Sequence, residues 1–194
     1  MYYGMYQAVR DSAWRCLLDF GIDRLPVDVR SMARQMGIRV VRNSEVGDLL
    51  PNENGKAYFD GTNWLIIYND NNPTELSRFT LAHELGHILL GHEMAYIRYA
   101  QVSEFTVKPK AEQQADTFAL RLLCPACVLW ELGLTAPQEI ANACHVSIER
   151  AEQRAARLWR LAERDRFFTS SLERQVRDRF AAYISQTRGK LYGE

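Results

Sequence analysis

Apolar residues recur at helical spacing from Tyr6 to Phe20, where Val9, Trp14, Leu17 and Leu18 share one side, and again from Val27 to Met36. Gly21 and Gly37 follow these segments, where a helix C-terminus favours glycine. Ile38 to Arg42, Lys56 to Phe59 and Trp64 to Tyr68 are instead rich in β-branched and aromatic residues and read as strands. Asp60-Gly61 marks a turn between the last two, in a loop longer than two residues. Asn72-Pro73-Thr74-Glu75 has the order of an N-cap, a first-turn proline and a capping-box glutamate. A helix is therefore expected from Pro73 to about Leu90, stopped by Gly91. Glu93 to Lys108 carries no turn or period signal.

From Lys110 to Leu123, Ala111, Ala115, Phe118, Ala119, Leu122 and Leu123 again keep helical spacing, and Pro125 closes the segment. Helical pieces follow near Glu139 to Cys144, Ile148 to Arg166 and Leu172 to Ser185. The pattern predicts an α+β fold with one small sheet, antiparallel or mixed. A break at Leu134-Thr135-Ala136-Pro137 divides residues 1–134 from a helical C-terminal region, 135–194.

The 194 residues are 47% hydrophobic, enough for a core without disulfide staples. Twenty-four Lys+Arg balance 24 Asp+Glu, which excludes a generally basic nucleic-acid coat. No apolar run is long enough to span a membrane, and the first twenty residues lack the plan of a secretory signal. The expected location is the cytoplasm, with the four cysteines reduced.

Three of the four histidines, His83, His87 and His92, fall within ten residues. His83-Glu84-Leu85-Gly86-His87 is an H-E-x-x-H motif inside the expected helix. Residues four apart differ by about 40° around a helix and lie one turn apart, so both imidazoles can reach one zinc ion. Glu84 lies about 100° further round, where its carboxylate can take a proton from water that the metal activates, without itself being a ligand. His92 falls about 140° off the ligand face and beyond the helix stop, and reads as a loop histidine.

A catalytic zinc needs three protein ligands and an open position. Metzincin spacing is excluded, because Leu90 and Glu93 stand where its glycine and third histidine belong. Glu112, 25 residues after His87 on the next helix, fits as the third ligand. Asp116, one turn further, can accept the other ring N–H of a zinc histidine. Glu93 and Glu104 are the alternatives for the third ligand.

Arg78-Phe79-Thr80-Leu81-Ala82 before HELGH, with Glu112-x-x-Ala115-x-x-Phe118-Ala119-x-x-Leu122-Leu123-x-Pro125 after it, resembles the ImmA/IrrE family of bacterial metallopeptidases. Leu25-Pro26-Val27, Gly37-Ile38 and the Gly55 to Tyr68 hairpin extend the resemblance over roughly residues 20 to 130. It implies a compact zincin-like fold and cytoplasmic zinc-dependent endopeptidase activity. His83, His87 and Glu112 would be the ligands and Glu84 the general acid and base. It also implies a partner: a helix-turn-helix repressor of mobile-element, prophage or stress genes. In zincins an exposed strand near Trp64 to Tyr68 pairs with extended substrate, although five apolar residues in a row equally suit a buried strand. Tyr96, Tyr99, Arg121 and His145 are open candidates for stabilising the transition state.

Cys124-Pro125-Ala126-Cys127 imitates a redox pair, and with Cys144-His145 a second zinc site, but it follows a helix and its ligand pairs are uneven. Gln138 to Arg154 has the rhythm of a helix-turn-helix, and Ile148 to Lys190 holds eleven Lys/Arg against six Asp/Glu. Glutamates alternate with these arginines as on a solvated helix face, so the region suits recognition of a protein as well as DNA. A regulator that binds a repressor or DNA without proteolysis is the alternative function.

Overall fold

A computed structural model describes residues 3–92 and 109–192, with side chains for 4–92 and 109–190. Glu93 to Lys108 lies outside the described residues, and with it Glu93, Tyr96, Tyr99 and Glu104. The chain divides into two compact units, one of residues 1–12 and 28–119, the other of residues 13–27 and 120–194. The expected break at 134–137 falls inside the second unit.

The first unit carries the expected α+β pattern. Helix α1 (Tyr3–Asp19) begins in it, followed by α2 (Val29–Gln35), β1 (Arg39–Arg42), the single turn α3 (Asn43–Val46), β2 (Gly55–Phe59), β3 (Trp64–Tyr68), α4 (Thr74–Leu89) and the first part of α5 (Lys110–Leu123). Asp28 caps α2 by accepting from the Ser31 amide at 2.9 Å. The sheet order is β1-β3-β2, with β1 parallel and β2 antiparallel to β3. The β2–β3 loop closes on Asp60, whose carboxylate accepts from the Thr62 and Asn63 amides, while Gly61 takes φ +97°.

β3 is the central strand, and Leu65 to Tyr68 are all buried. Of the two readings of Trp64 to Tyr68, the buried strand holds and the exposed, substrate-pairing strand does not. Both of its edges are occupied, so a run of five apolar residues here means burial on two faces. β2 is the edge strand that packs against α4.

Helix α4 starts one residue later than expected, and no side chain caps it. The Asn72 amide is turned away, donating to Asn54 at 2.9 Å and tying the helix start to the segment before β2. Phe79 to His87, nine successive residues, are buried, so this helix is surrounded on all sides rather than amphipathic.

The second unit holds the end of α5, α6 (Ala126–Glu131), α7 (Pro137–Cys144), α8 (Ile148–Ala162), α9 (Ser171–Arg179) and α10 (Ala181–Tyr192). The single helix expected near 172–185 is broken at Phe180, a buried residue between α9 and α10. Glu139 reaches back to the Thr135 and Ala136 amides to start α7, and Ser147 caps α8. His145 makes the turn between α7 and α8 at φ 51°, so the helix-turn-helix rhythm is realised as two helices and a tight turn. The solvated-face reading of α8 fails at Arg154, which is fully buried near Cys124, Cys127 and Cys144, with no hydrogen-bond partner for its guanidinium nitrogens among the described residues. All four cysteines are buried, and none is in a disulfide among the described residues. Among the described residues they form no metal-binding group.

Candidate metal centre

The site lies wholly within the first unit, where α4 meets α5. Gly86 permits the approach. A Cβ built there would stand 3.0–3.2 Å from the Phe118 side chain of α5, closer than such contacts ordinarily run. Glycine at this place in HELGH therefore sets the separation of the two helices, and with it the reach of Glu112. Gly55 of β2 is just as constrained, since a Cβ there would collide with the Thr80 side chain and the Ile67 carbonyl. It also lies against Glu84, so β2 fits directly over the motif.

Three buried side chains converge. His83 Nε2 and His87 Nε2 are 3.0 Å apart, and the Glu112 oxygens stand 3.3 Å from the first and 3.2 Å from the second. One ligand atom from each of the three lies within 4.8 Å of the others. The remaining ring nitrogens are engaged. His83 Nδ1 is 2.9 Å from Asp116 Oδ1, and His87 Nδ1 is 2.9 Å from His92 Nδ1. A carboxylate accepts only, so His83 keeps a proton on Nδ1, and in its neutral form it turns the Nε2 lone pair inward.

A divalent cation fits this arrangement. Both Glu112 oxygens are buried and approach the imidazoles without hydrogen-bond alignment, leaving them with no hydrogen-bond partner among the described residues. Two imidazole nitrogens and a carboxylate directed at one point form a donor set that fits a divalent metal ion.

The electrostatics agree. Burial would by itself lower the His83 pKa, but Asp116, Glu112 and the charge of Glu84 outweigh it and lift the imidazole to about 9. For Glu112 burial works upward, yet the two imidazoles prevail and bring its carboxyl to about 2. Glu84 is pushed up to about 7, chiefly by burial, with Glu112 and Glu53 adding to the rise while His83 and the Ala57 amide oppose it. Two glutamates on neighbouring helices are thus shifted in opposite directions, Glu112 downward by the imidazoles and Glu84 upward by burial.

The model of the IrrE N-terminal-like domain, peptidase M78, matches residues 33–156. The chain belongs to this family. It is a metallopeptidase of the IrrE/ImmA kind, and the matched span takes in β1 to β3, both helices of the site and the α7 turn. No curated protein matches the sequence. The α+β zincin-like expectation holds, and among the described residues no helix is long and apolar enough to cross a membrane.

His83, His87, Glu112 and Asp116 are brought together, and Glu84 is buried beside them. Arg121 and His145 fall in the second unit, the first buried with Arg154 and Arg157 near it and the second exposed at its turn. Glu53, which no motif or spacing in the sequence marks, is a buried carboxylate that accepts from the Leu50 amide at 2.8 Å and lies near enough to Glu84 to raise its pKa.

His92 corrects the sequence reading. Its half-buried ring is against His87, because the helix ends in a Schellman turn. Gly91 at φ +66° folds the chain back, its amide donating to Ile88 O at 3.2 Å and the His92 amide to His87 O at 3.1 Å. Beyond Leu90 the helical angle no longer applies. A glycine four residues after the second motif histidine was the available signal, since this turn lays the next side chain over that histidine.

Proposed function

We propose that this metallopeptidase is a zinc-dependent endopeptidase of narrow specificity that cleaves a helix-turn-helix repressor. The observation that carries the reading is a buried carboxylate, Glu84, standing beside a buried His83, His87 and Glu112 group. A purely structural site has no use for that extra carboxylate.

His83, His87 and Glu112 would hold the metal, whose chemistry when bound is to acidify water and polarise a peptide carbonyl. Asp116 fixes the His83 tautomer and ring direction. Glu84, with a pKa near neutrality, takes the proton of the attacking water. The same carboxyl then delivers that proton to the departing amine nitrogen, which returns Glu84 to its starting state. The edge strand β2, whose Ala57 amide faces Glu84, offers the backbone along which an extended substrate segment would lie. The α7–α8 helix pair and the basic carboxyl-terminal region are the proposed surface for recognising the repressor.

The test uses candidate helix-turn-helix repressors from the same genome, each incubated with wild-type protein, with Glu84→Gln and with wild-type plus chelator. Cleavage is expected from wild type alone, with Glu84→Gln retaining its metal and losing at least about a hundredfold in rate. Equal cleavage by Glu84→Gln would remove its role as base. Binding that survives chelation with no cleavage in any sample would favour the non-proteolytic regulator.

A further inference from the structure

His83 is backed by a carboxylate, as metal histidines commonly are, but among the described residues His87 is not. Behind His87 stands a third imidazole. His87 Nδ1 and His92 Nδ1 are 2.9 Å apart, and the far nitrogen of that ring, His92 Nε2, is 3.1 Å from Gln114 Oε1 on α5.

Two nitrogens at that distance require one proton between them, carried by one ring and accepted by the other. His87 turns Nε2 toward His83 and Glu112, so a neutral His87 that ligates through Nε2 carries its proton on Nδ1. His92 must then accept at Nδ1 and bear its own proton on Nε2. An acceptor is what it meets there, the carbonyl oxygen of Gln114. All three groups agree on a single proton arrangement: His87 Nδ1–H donates to His92, and His92 Nε2–H donates to Gln114.

We propose that His92 is a positioning residue, which with Gln114 fixes the ligating tautomer and ring direction of His87. The proposal rests on the metal-site reading above. It also explains why an imidazole rather than an acid is used. The site already holds Glu84, Glu112 and Asp116, and a further carboxylate would add negative charge around Glu84. A neutral acceptor orients His87 without that addition. The Schellman turn at Gly91 is the structural means, because it returns residue 92 over residue 87.

The test is a titration of metal-free full-length protein with Co²⁺, followed by competition with a chromophoric chelator and by the visible spectrum of bound Co²⁺. Wild type, His92→Phe, His92→Asn and Gln114→Leu are compared, with thermal unfolding of each metal-free protein as the check on folding. His92→Phe keeps the ring and removes the acceptor, and should weaken Co²⁺ binding by about 10–100-fold with a changed spectrum. His92→Asn places an amide oxygen near the lost Nδ1 and should restore most of both. Gln114→Leu, which only frees the His92 ring, should fall between.

His92→Phe that binds Co²⁺ as wild type does, with the same spectrum, overturns the proposal. So does a loss in His92→Phe that His92→Asn fails to repair, since that would mean ring packing alone. Should His92→Phe not fold, Gln114→Leu and His92→Asn decide: wild-type spectra in Gln114→Leu with a large loss in His92→Asn overturn the role. Failure of wild type itself to take up Co²⁺ would instead overturn the metal site, and this proposal with it.

Discussion

Asp116 orients the His83 ring and, against the effect of burial and together with Glu112 and Glu84, makes the metal-free ring hold its proton up to about pH 9. A ligating imidazole must be neutral at its donor nitrogen, so metal uptake below that pH expels a proton. The sign follows directly. Affinity should rise by about tenfold per pH unit from neutrality toward pH 9 and flatten above it, as for one displaced proton. Metal titrations in weak buffer at successive pH values measure this, and a constant affinity between pH 7 and 9 would contradict it. At this scale the sequence was highly legible for His83, Glu84 and His87, because i, i+4 spacing within one helix fixes their geometry locally. His92 was not legible by the same rule, since its place depends on the reversal at Gly91 rather than on helical periodicity.

The reach of Glu112 depends on how closely α5 approaches α4. Gly86 and Phe118 set that approach, with only 3.0–3.2 Å available to a Cβ. In an exposed helix, replacing glycine would help, because glycine costs about 1 kcal/mol against alanine. Here the added volume opposes a fully buried Phe118. Gly86→Val is expected to cost about 1–3 kcal/mol by overpacking and to weaken metal binding as Glu112 retreats. Thermal unfolding and metal competition on the same samples check both; an intact affinity would show that Phe118 yields without moving α5. The elements themselves were readable from period and punctuation, as Trp64 to Tyr68 and Lys110 to Leu123 show. Sheet position was not. Five apolar residues in succession declare burial, but whether a strand is central or an edge follows from the pairings of Arg39 with Leu65 and Phe59 with Trp64, which no local pattern encodes. The capping signal at Asn72 failed for a related reason, its amide being taken by Asn54, distant in sequence.

Across the whole chain, net neutrality conceals an uneven distribution of charge. The metal group lies in the unit of residues 1–12 and 28–119, while the excess of arginine lies in the unit that ends the chain. Composition alone could not reveal that one of those arginines, Arg154, is buried beside three cysteines instead of facing solvent. Helix α8 pairs charges by sequence, yet its inward face is chosen by packing. The central assignment is that His83, His87 and Glu112 together hold one metal ion while Glu84 does not. It is tested most directly by zinc content per chain after loading and exhaustive dialysis of wild type, Glu84→Gln, His87→Ala and Glu112→Ala. One zinc per chain is expected in wild type and Glu84→Gln, with little retained by His87→Ala or Glu112→Ala. Full zinc in Glu112→Ala, or its loss from Glu84→Gln, would contradict the assignment.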